Sequence, residues 1–258
     1  MKQFNGYFGC SWCLERETLR DWTLRYLLQG SPAEDRTHSR VVRDLKAAFR
    51  QCQPVHGIKG PSVLLPLKGL DLVWCLSPDY MHCVLEGVAK QLTELWLSTT
   101  GAPFYIGGAK NALNSRILAI RPPISFFRLP RPISERAHWK AKEWQYWLLF
   151  YSLPCLKGAL TTQRSYFFLL SKTMQLNILP TRYFHHFALL CQGMFLLLGT
   201  KVTELDAREA ERLLFRFVDR IVQLSGHSAA TFNVHQLLQP FEECGYVGPV
   251  MGILNLSF

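Results

Sequence analysis

The fold class of this chain is decided by the stretch DYMHCVLEGVAKQLTELW, which covers residues 79–96. Its large apolar residues recur at the spacing that places them on one face of an amphipathic helix. We predict a helix that begins at Pro78-Asp79 and ends before Gly101-Ala102-Pro103. The face that we expect to be buried carries Val84, Leu85, Val88, Leu92, Leu95 and Trp96.

Helical patterns extend outward from this stretch through most of the chain. Pro154 is expected to end or kink the helix that precedes it, and Thr203 with Asp206 resembles a capping box. Residues 1–14 are aromatic and rich in glycine, which indicates strand and turn, so the predicted fold class is mainly α with a little N-terminal strand. Further helices are predicted over residues 41–52, 107–118, 139–151, 160–177, 182–199, 204–225 and 231–243.

The composition indicates a packed globular chain that attracts polyanions. Hydrophobic residues make up 48% of the sequence and charged residues 19%, a balance that suits a large buried core. The formal net charge is +10, so nucleic acid is the first partner to consider, although many basic proteins bind none. The most apolar run, residues 187–199, is shorter than the ~20 residues of a membrane-spanning helix, so we expect no membrane association.

The cysteines point to a metal site rather than to disulfides. The first residues lack the apolar run of a secretory signal, so we expect reduced thiols. Cys10 and Cys13 form a CxxC pair, which can grip a tetrahedral metal ion from a tight turn. One pair supplies half of a zinc site, and His82, Cys83 or Cys75 are candidates for the rest. The alternative is a turn in which two cysteines happen to be close.

Two histidines, His82 and His235, are candidates for a metal ligand or a base. Asp79 and His82 share one face of a helical turn, so they could bind a metal, or Asp79 could orient the imidazole of His82. The alternative is that Asp79 caps the N-terminus of the helix. His235 is interpreted as a core histidine with a satisfied hydrogen bond, rather than as a base or a metal ligand.

A basic segment runs from Arg116 to Lys142, and aromatic rings are interleaved with its cations. Cations can neutralise phosphates while rings such as Phe126, Phe127, Trp139 and Trp144 stack on bases. The alternative is a solvated basic surface on an aromatic core helix. The residues that we predict to bind nucleic acid are Arg121, Arg128, Arg131, Arg136, Lys140 and Lys142.

Taken in order, these pieces resemble the CACTA (En/Spm-like) group of DDE-type DNA transposases. The resemblance covers nearly the whole chain, and it includes the CxxC block and a DxxH motif of that group. The similar blocks are FNGYFGCSWC (4–13), GIKGPS (57–62), DYMHCVL (79–85), LPR (129–131), WKAKEW (139–144), LPCLKG (153–158), NVH (233–235) and GP (248–249).

The resemblance implies a ribonuclease-H-like catalytic core interrupted by a large α-helical insertion. In the complete family enzyme, three carboxylates hold Mg²⁺ ions that activate a water or a 3′-hydroxyl for attack on a phosphodiester. By this alignment the two family aspartates precede residue 4, and the family glutamate follows Gly248-Pro249, where this sequence has none. We therefore expect an incomplete transposase that does not cut DNA alone, and we assign no catalytic residue.

The same resemblance implies a domain organisation and a set of partners. Residues 1–60 are then a remnant of the ribonuclease-H-like core with the CxxC segment and a linker, and residues 61–258 are the α-helical insertion domain. The implied cofactor is a structural Zn²⁺. The implied partners are DNA and either a full-length transposase or a second copy of this chain, and the implied location is the nucleus. The implied metal ligands are Cys10, Cys13, His82 and Asp79.

Two other functions stay open at this point. One is a domesticated binding module, in which the basic segment serves a DNA, RNA or protein partner and the zinc site is retained. The other is a hydrolase that uses Asp79 with His82, or a carboxylate set of Asp71, Asp79 and Glu242 or Glu243. The predicted helices and loops separate those carboxylates, which disfavours a shared active site. Without the parent core, an exposed apolar patch is also expected.

Overall fold

The computed structural model of this protein describes residues 6–28, 33–75, 79–157 and 178–239. Helices dominate these residues, which confirms the mainly α fold class, and a two-stranded sheet lies near the N-terminus. The elements are β1 (Thr18–Arg20), β2 (Thr23–Arg25), α1 (His38–Gln51), the π-helical segment Met81–Ala89, α2 (Lys90–Ser98), the 3₁₀ turn Gly107–Ala109, α3 (Lys110–Ala119), the 3₁₀ segment Ile133–His138, α4 (Ala141–Tyr146), the π-helical segment Trp147–Tyr151, α5 (Ser152–Leu156), α6 (Thr181–Leu197), α7 (Glu204–Ser225), the 3₁₀ turn His227–Ala229, α8 (Phe232–His235) and the 3₁₀ turn Gln236–Leu238.

The stretch that decides the fold forms a central helix, in which Met81–Ala89 continues without a break into α2. Val84, Val88, Leu92 and Trp96 are buried as predicted, and Leu95 is half-buried. The first part of this helix has π-helical hydrogen bonds, a rare geometry that the apolar spacing alone does not predict. The helix therefore buries the expected face, but its first half is π-helical instead of α-helical.

The longest helices, α6 and α7, pack against each other on one side of the main core. Gly193 of α6 lies so close to Leu214 of α7 that an added Cβ would meet the leucine side chain at 3.0 Å. The predicted capping box begins α7, since the Asp206 N–H donates to Thr203 Oγ1 (3.2 Å) and the Thr203 N–H donates to Asp206 Oδ2 (2.9 Å). The helix predicted over residues 204–225 is thereby confirmed.

Pro154 lies inside a helical path rather than at its end. The helix predicted over residues 139–151 runs through α4, the π-helical Trp147–Tyr151 and α5, and it ends at Leu156. Proline lacks an N–H and crowds the carbonyl four residues earlier, so regular α-helical bonding is interrupted there. The π-helical turn lies directly before α5, where this interruption falls. The predicted helix over 160–177 and the end of the one over 231–243 lie outside the described residues.

Of the residues 1–14 predicted as strand and turn, residues 1–5 lie outside the described residues, and residues 6–14 form no named strand; the two strands follow the CxxC pair. β1 and β2 pair antiparallel around Asp21 and Trp22, whose φ values are 48° and 59°. Two successive positive φ angles define a tight type I′ hairpin turn. Asp21 is a usual residue for the first position of that turn, but Trp22 is not usual for the second, so the sequence gives little sign of it. In residues 6–14, Cys13 makes an isolated β-bridge with Asp35.

The hairpin brings the N-terminal residues against the last described ones. The Tyr26 N–H donates to the Ala230 carbonyl (3.0 Å), and the Arg25 guanidinium donates to the Ser228 carbonyl (3.0 Å). α8 begins at Phe232, just after Ala230, so this docking places its side chains beside the CxxC loop. Among the described residues, no helix has both the length and the apolar character needed to cross a membrane.

Candidate metal centre

Three chemical groups meet at this junction: the thiols of Cys10 and Cys13, which were predicted as metal ligands, and the imidazole of His235, which was not. Their ligand atoms all lie within 4.8 Å of one another, and all three residues are buried. The Sγ atom of Cys13 is 3.3 Å from Nε2 of His235. Two thiolates and an imidazole are ligands that tetrahedral zinc favours. The cluster could therefore hold a metal ion.

Backbone and side-chain N–H groups surround the two sulfur atoms. The Trp12 N–H donates to Cys10 Sγ (3.4 Å), and the Glu15 N–H donates to Cys13 Sγ (3.5 Å). The amides of Gln236 and Gln239 also donate to Cys10 Sγ, at 3.6 and 3.4 Å. Donors aimed at sulfur favour the thiolate over the thiol. This is the form that binds metal.

The two thiols affect each other's protonation. A hydrogen bond from Cys13 lowers the pKa of Cys10 against the effect of burial, and His235 lowers it further. The same hydrogen bond, burial and the negative charge of the Cys10 thiolate raise the pKa of Cys13. The pair therefore releases one proton readily and retains the second. A divalent cation between the sulfurs would favour release of both.

The buried guanidinium of Arg36 stabilises the CxxC loop through hydrogen bonds to backbone carbonyls. Its side chain is 2% exposed, and its Nε donates to the carbonyls of Cys10 and Cys13, each at 3.0 Å. Its Nη2 donates to the carbonyls of Phe8 (3.2 Å) and His56 (2.9 Å). One planar guanidinium thus satisfies carbonyls from two separate loops. No spacing in the sequence singles out Arg36, and it was not among the predicted site residues.

A second buried side chain, Glu17, orders the start of the loop. Its carboxylate accepts the N–H groups of Phe8 (2.6 Å) and Gly9 (2.8 Å). On the opposite side, the ring of Tyr26 stacks on the imidazole of His235 with a centroid separation of 5.1 Å. The loop and the imidazole are therefore both fixed by buried contacts.

The cluster borders a cleft of about 530 Å³ between the N-terminal segment and α7. Cys13, Glu15 and His235 line its floor, while Arg212 and Phe215 contribute from α7. Glu15 is buried, and burial raises the pKa of its carboxyl group, while the positive charge of a protonated His235 would lower it. A metal ion in the cluster would therefore have one side facing this cleft.

Comparisons with protein-family models, with curated proteins and with solved structures find no match to this chain. The function is therefore inferred from the arrangement of its own residues.

The structure does not bring His82 and Asp79 to the cysteine pair, which corrects the predicted ligand set. His82 is exposed, and its Nδ1 lies 2.6 Å from Asp79 Oδ2. Asp79 Oδ1 accepts the N–H groups of Met81 (2.8 Å) and His82 (3.4 Å) at the start of the helix. Asp79 thus caps this helix, as the alternative interpretation held. Hydrogen bonding between the two side chains lowers the pKa of Asp79 and raises that of His82.

His235 takes the position that was predicted for His82. His235 was interpreted as a buried histidine with a hydrogen bond. The residue is 5% exposed and its Nε2 lies 3.3 Å from Cys13 Sγ, which agrees with that interpretation. Its place beside the CxxC pair was not predicted. In the sequence, the family resemblance of the Asn233-Val234-His235 block is the only feature that draws attention to His235.

The basic segment divides into half-buried cations in close ion pairs and exposed cations, of which Arg128 lies 3.9 Å from Glu143. Arg131 Nε donates to Glu143 (2.5 Å), and Arg136 Nη2 donates to Glu94 (2.6 Å), so both guanidinium groups contribute to internal contacts. Two of the four interleaved rings, Trp139 and Trp144, are buried in the main core. The predicted cations that are exposed in the structure are Arg121, Arg128, Lys140 and Lys142.

Apolar side chains are exposed in the same segment. Phe126 packs on Tyr146 with ring centroids 4.3 Å apart, which anchors the loop, while the adjacent Phe127 is 81% exposed. Ile124 and Leu129 are also exposed. The surface between Arg121 and Arg128 therefore presents both cations and apolar groups to solvent.

Proposed function

We propose that this chain is a part of a CACTA-type DNA transposase, namely its α-helical insertion with a remnant of the ribonuclease-H-like core. In this proposal it binds DNA through its basic segment, and Cys10, Cys13 and His235 hold a structural zinc ion. It acts in the nucleus, on DNA and beside a full-length transposase or a second copy of the chain.

One observation carries the proposal: three of the blocks that resemble the family, far apart in sequence, meet at one place. Cys10 and Cys13 of the first block lie beside His235 of the NVH block. The Cys83 thiol of the DxxH block donates to the Asn233 carbonyl at 3.4 Å. An added Cβ at Gly87, two residues beyond that block, would lie 2.5 Å from the Asn233 side chain. Their convergence supports a shared structural role for these blocks.

The ligand atoms of the cluster, two sulfurs and one imidazole nitrogen, are those of a structural zinc site. Thiolate and imidazole groups suit zinc, and buried N–H donors to sulfur are the outer contacts that such sites use. The cluster lies between the N-terminal loop and α8, where a bound ion would join two distant parts of the chain. Structural zinc sites contribute directly to folding free energy.

The exposed cations support DNA as the partner. Arg121, Arg128, Lys140 and Lys142 are exposed along one segment, in a chain with a net charge of +10. Side chains of this kind neutralise phosphates and release counterions, and an exposed ring such as Phe127 can stack on a base. Arg131 and Arg136 have a different role in this proposal, because their ion pairs with acidic side chains hold the segment in place.

No catalytic role is assigned to the described residues. The Asp79–His82 pair has the contacts of a helix cap, and both side chains are exposed. A hydrolase that uses this pair therefore has less support than the binding function. In the complete family enzyme, Mg²⁺ held by carboxylates performs the chemistry.

The proposal is tested by DNA binding of the purified 258-residue chain, measured by fluorescence anisotropy with a labelled duplex. We expect affinity to fall steeply between about 50 and 200 mM salt, with a slope of about −0.9 for each phosphate contact. The Arg121→Ala, Arg128→Ala double variant should bind more weakly and reduce that slope by about 1 to 2. Arg43→Ala with Arg216→Ala removes the same charge from exposed helix positions elsewhere and serves as the matched control.

Two results would contradict DNA binding at this surface. One is the absence of salt-dependent binding, and the other is an equal loss in the Arg121/Arg128 variant and its control. Sequence-selective binding that persists at high salt would instead favour the domesticated module, because non-specific binding is mostly electrostatic.

A further inference from the structure

The loop over residues 120–132, which joins α3 to the 3₁₀ segment Ile133–His138, exposes large apolar side chains. Ile124 is 104% exposed, Phe127 81% and Leu129 74%. Exposed apolar groups that lie close together on a protein surface commonly mark a binding surface. This loop is therefore a candidate binding surface, and its ligand has to accept an aromatic ring.

The loop is anchored against α4, so its exposed groups are presented in a defined setting. The Phe126 N–H donates to the Pro123 carbonyl at 3.0 Å, which closes a turn with Ile124 at its tip. The Phe126 ring packs on Tyr146 with centroids 4.3 Å apart. Prolines at positions 122, 123, 130 and 132 restrict the backbone further. Because this part of the chain is already ordered, a ligand that contacts Phe127 costs little extra ordering.

Cationic side chains gather beside the loop around one acid, Glu143. Its Oε2 accepts the N–H of Lys140 (2.8 Å) and lies 3.9 Å from Nη1 of Arg128. The Nζ atom of Lys142 lies 5.6 Å from the ring centroid of Tyr146, the ring that anchors the loop. One carboxylate does not neutralise three cations, so positive charge remains next to the apolar groups. This combination favours an anionic ligand that also has an apolar face.

A single strand of DNA fits these features better than a duplex. In a duplex the base faces are stacked on one another, so a ring on the protein surface reaches them only by unstacking a base step. Unpaired nucleotides present free base faces between their phosphates, and proteins that bind them combine cations with aromatic rings.

We propose that this loop binds single-stranded DNA, with the Phe127 ring stacked on an unpaired base and with Arg128 and Lys140 at the phosphates. A duplex is still bound through its phosphates, but without the stacked ring. This inference rests on the DNA-binding function proposed above and names the form of DNA that the basic segment prefers.

The test measures fluorescence anisotropy of the 258-residue chain with a labelled oligothymidine of about 15 nucleotides and with a labelled duplex of the same length, at one salt concentration. We expect the wild-type chain to bind the single strand at least about 5-fold more tightly. Phe127→Ala should weaken single-strand binding about 5- to 150-fold, the effect of losing one stacked base, and leave duplex binding unchanged. Phe49→Ala is the matched control, because it removes an exposed ring from α1 and should change neither affinity.

The outcomes separate this inference from the DNA-binding proposal. A wild-type chain that binds neither oligonucleotide would overturn both. Duplex binding as tight as single-strand binding would overturn the preference for single strands alone, and this comparison requires no variant. An equal loss of both affinities in Phe127→Ala would show that the ring contacts duplex DNA as well, which contradicts the inference. Equal single-strand affinity of Phe127→Ala and Phe49→Ala would show that Phe127 does not stack on a base.

Discussion

The Sγ atom of Cys13 lies 3.3 Å from Nε2 of His235, although 222 positions of sequence separate the two residues. The contact joins the N-terminal loop to α8 at the other end of the described chain. A metal ion bound there would act as a cross-link that closes a very long loop. Such a cross-link restricts the unfolded chain, so it stabilises the folded one.

Zinc is therefore expected to raise the melting temperature of the wild-type chain, and His235→Ala should remove that effect. A ligand present at 100 times its dissociation constant stabilises the folded state by about 2.7 kcal/mol. The measurement is calorimetric unfolding of chelator-treated protein with and without added zinc. His82→Ala is the matched control, because His82 is exposed and lies outside the cluster, and it should retain the full zinc effect. Equal zinc stabilisation of both variants would contradict the ligand assignment.

Arg36→Ala should destabilise the chain by about 3 kcal/mol, since it leaves four carbonyl groups without their buried, charged donor. It should also weaken zinc binding, because two of those carbonyls belong to Cys10 and Cys13. Urea unfolding measures the first effect, and chelator competition measures the second. Arg43→Ala removes an exposed arginine from α1 and should change stability by less than about 0.5 kcal/mol. A similar small change for Arg36→Ala would show that the guanidinium does not hold the loop.

Gly87→Ala should weaken zinc binding from a position outside the metal cluster. The added Cβ would lie 2.5 Å from Asn233 Nδ2 of α8 and 2.7 Å from the His82 carbonyl of its own helix, so the contact between this helix and α8 has to shift. α8 carries His235, and displacement of its imidazole changes the metal geometry. Gly108→Ala is the control, because an added Cβ there meets nothing within 4 Å. Both variants are compared by chelator competition, and equal zinc affinity would show that α8 tolerates the added methyl group.

Local sequence predicts those parts of this fold that local interactions determine. The helix predicted over residues 204–225 forms and buries Leu213, Leu214 and Phe217 along one face, and the capping box at Thr203 forms as expected. Helical periodicity and capping depend on residues three or four positions apart, so a single sequence contains them. The sequence does not predict the β1–β2 hairpin, because Trp22 adopts a positive φ angle at the position where a glycine usually follows an aspartate such as Asp21.

The metal centre could be predicted only in part. Cys10 and Cys13 are close in sequence, and their spacing alone indicates a metal-binding turn. The third ligand depends on how the hairpin docks on α8, which no local pattern encodes. His82 was favoured because it belongs to a motif and is close in sequence to other candidates. In the structure it faces solvent beside Asp79.

Charge in the sequence likewise does not reveal how each cation is used. Arg131 and Arg136 belong to a basic segment, but their partners Glu143 and Glu94 are 12 and 42 positions away. Those pairings follow from the packing of the central helix against α4 and the segment before it. Of the residues predicted to bind DNA, Arg121, Arg128, Lys140 and Lys142 are exposed in the structure, whereas Arg131 and Arg136 are half-buried.

His186 provides a test of the α6–α7 packing through pH. Its ring is 4% exposed, stacks on Phe217 with centroids 4.5 Å apart, and donates from Nε2 to the Phe217 carbonyl at 2.8 Å. Burial lowers the pKa of this histidine, and the positive charge of Arg220 lowers it further, against the opposite effect of that hydrogen bond. The folded state thus prefers the neutral imidazole more strongly than the unfolded chain does.

The folded pKa of His186 lies below the unfolded value of about 6.5, so its contribution to stability is complete above that value and declines as pH falls below it. His186→Gln stays neutral and can keep the hydrogen bond to the Phe217 carbonyl, so its stability should fall less than that of the wild type as pH drops from about 7 to 5. The measurement is urea unfolding at several pH values. His185→Gln, which changes the exposed neighbour on the same helix, should follow the wild-type curve. If His186→Gln loses as much stability as His185→Gln over this range, a buried neutral His186 does not cause the acid sensitivity.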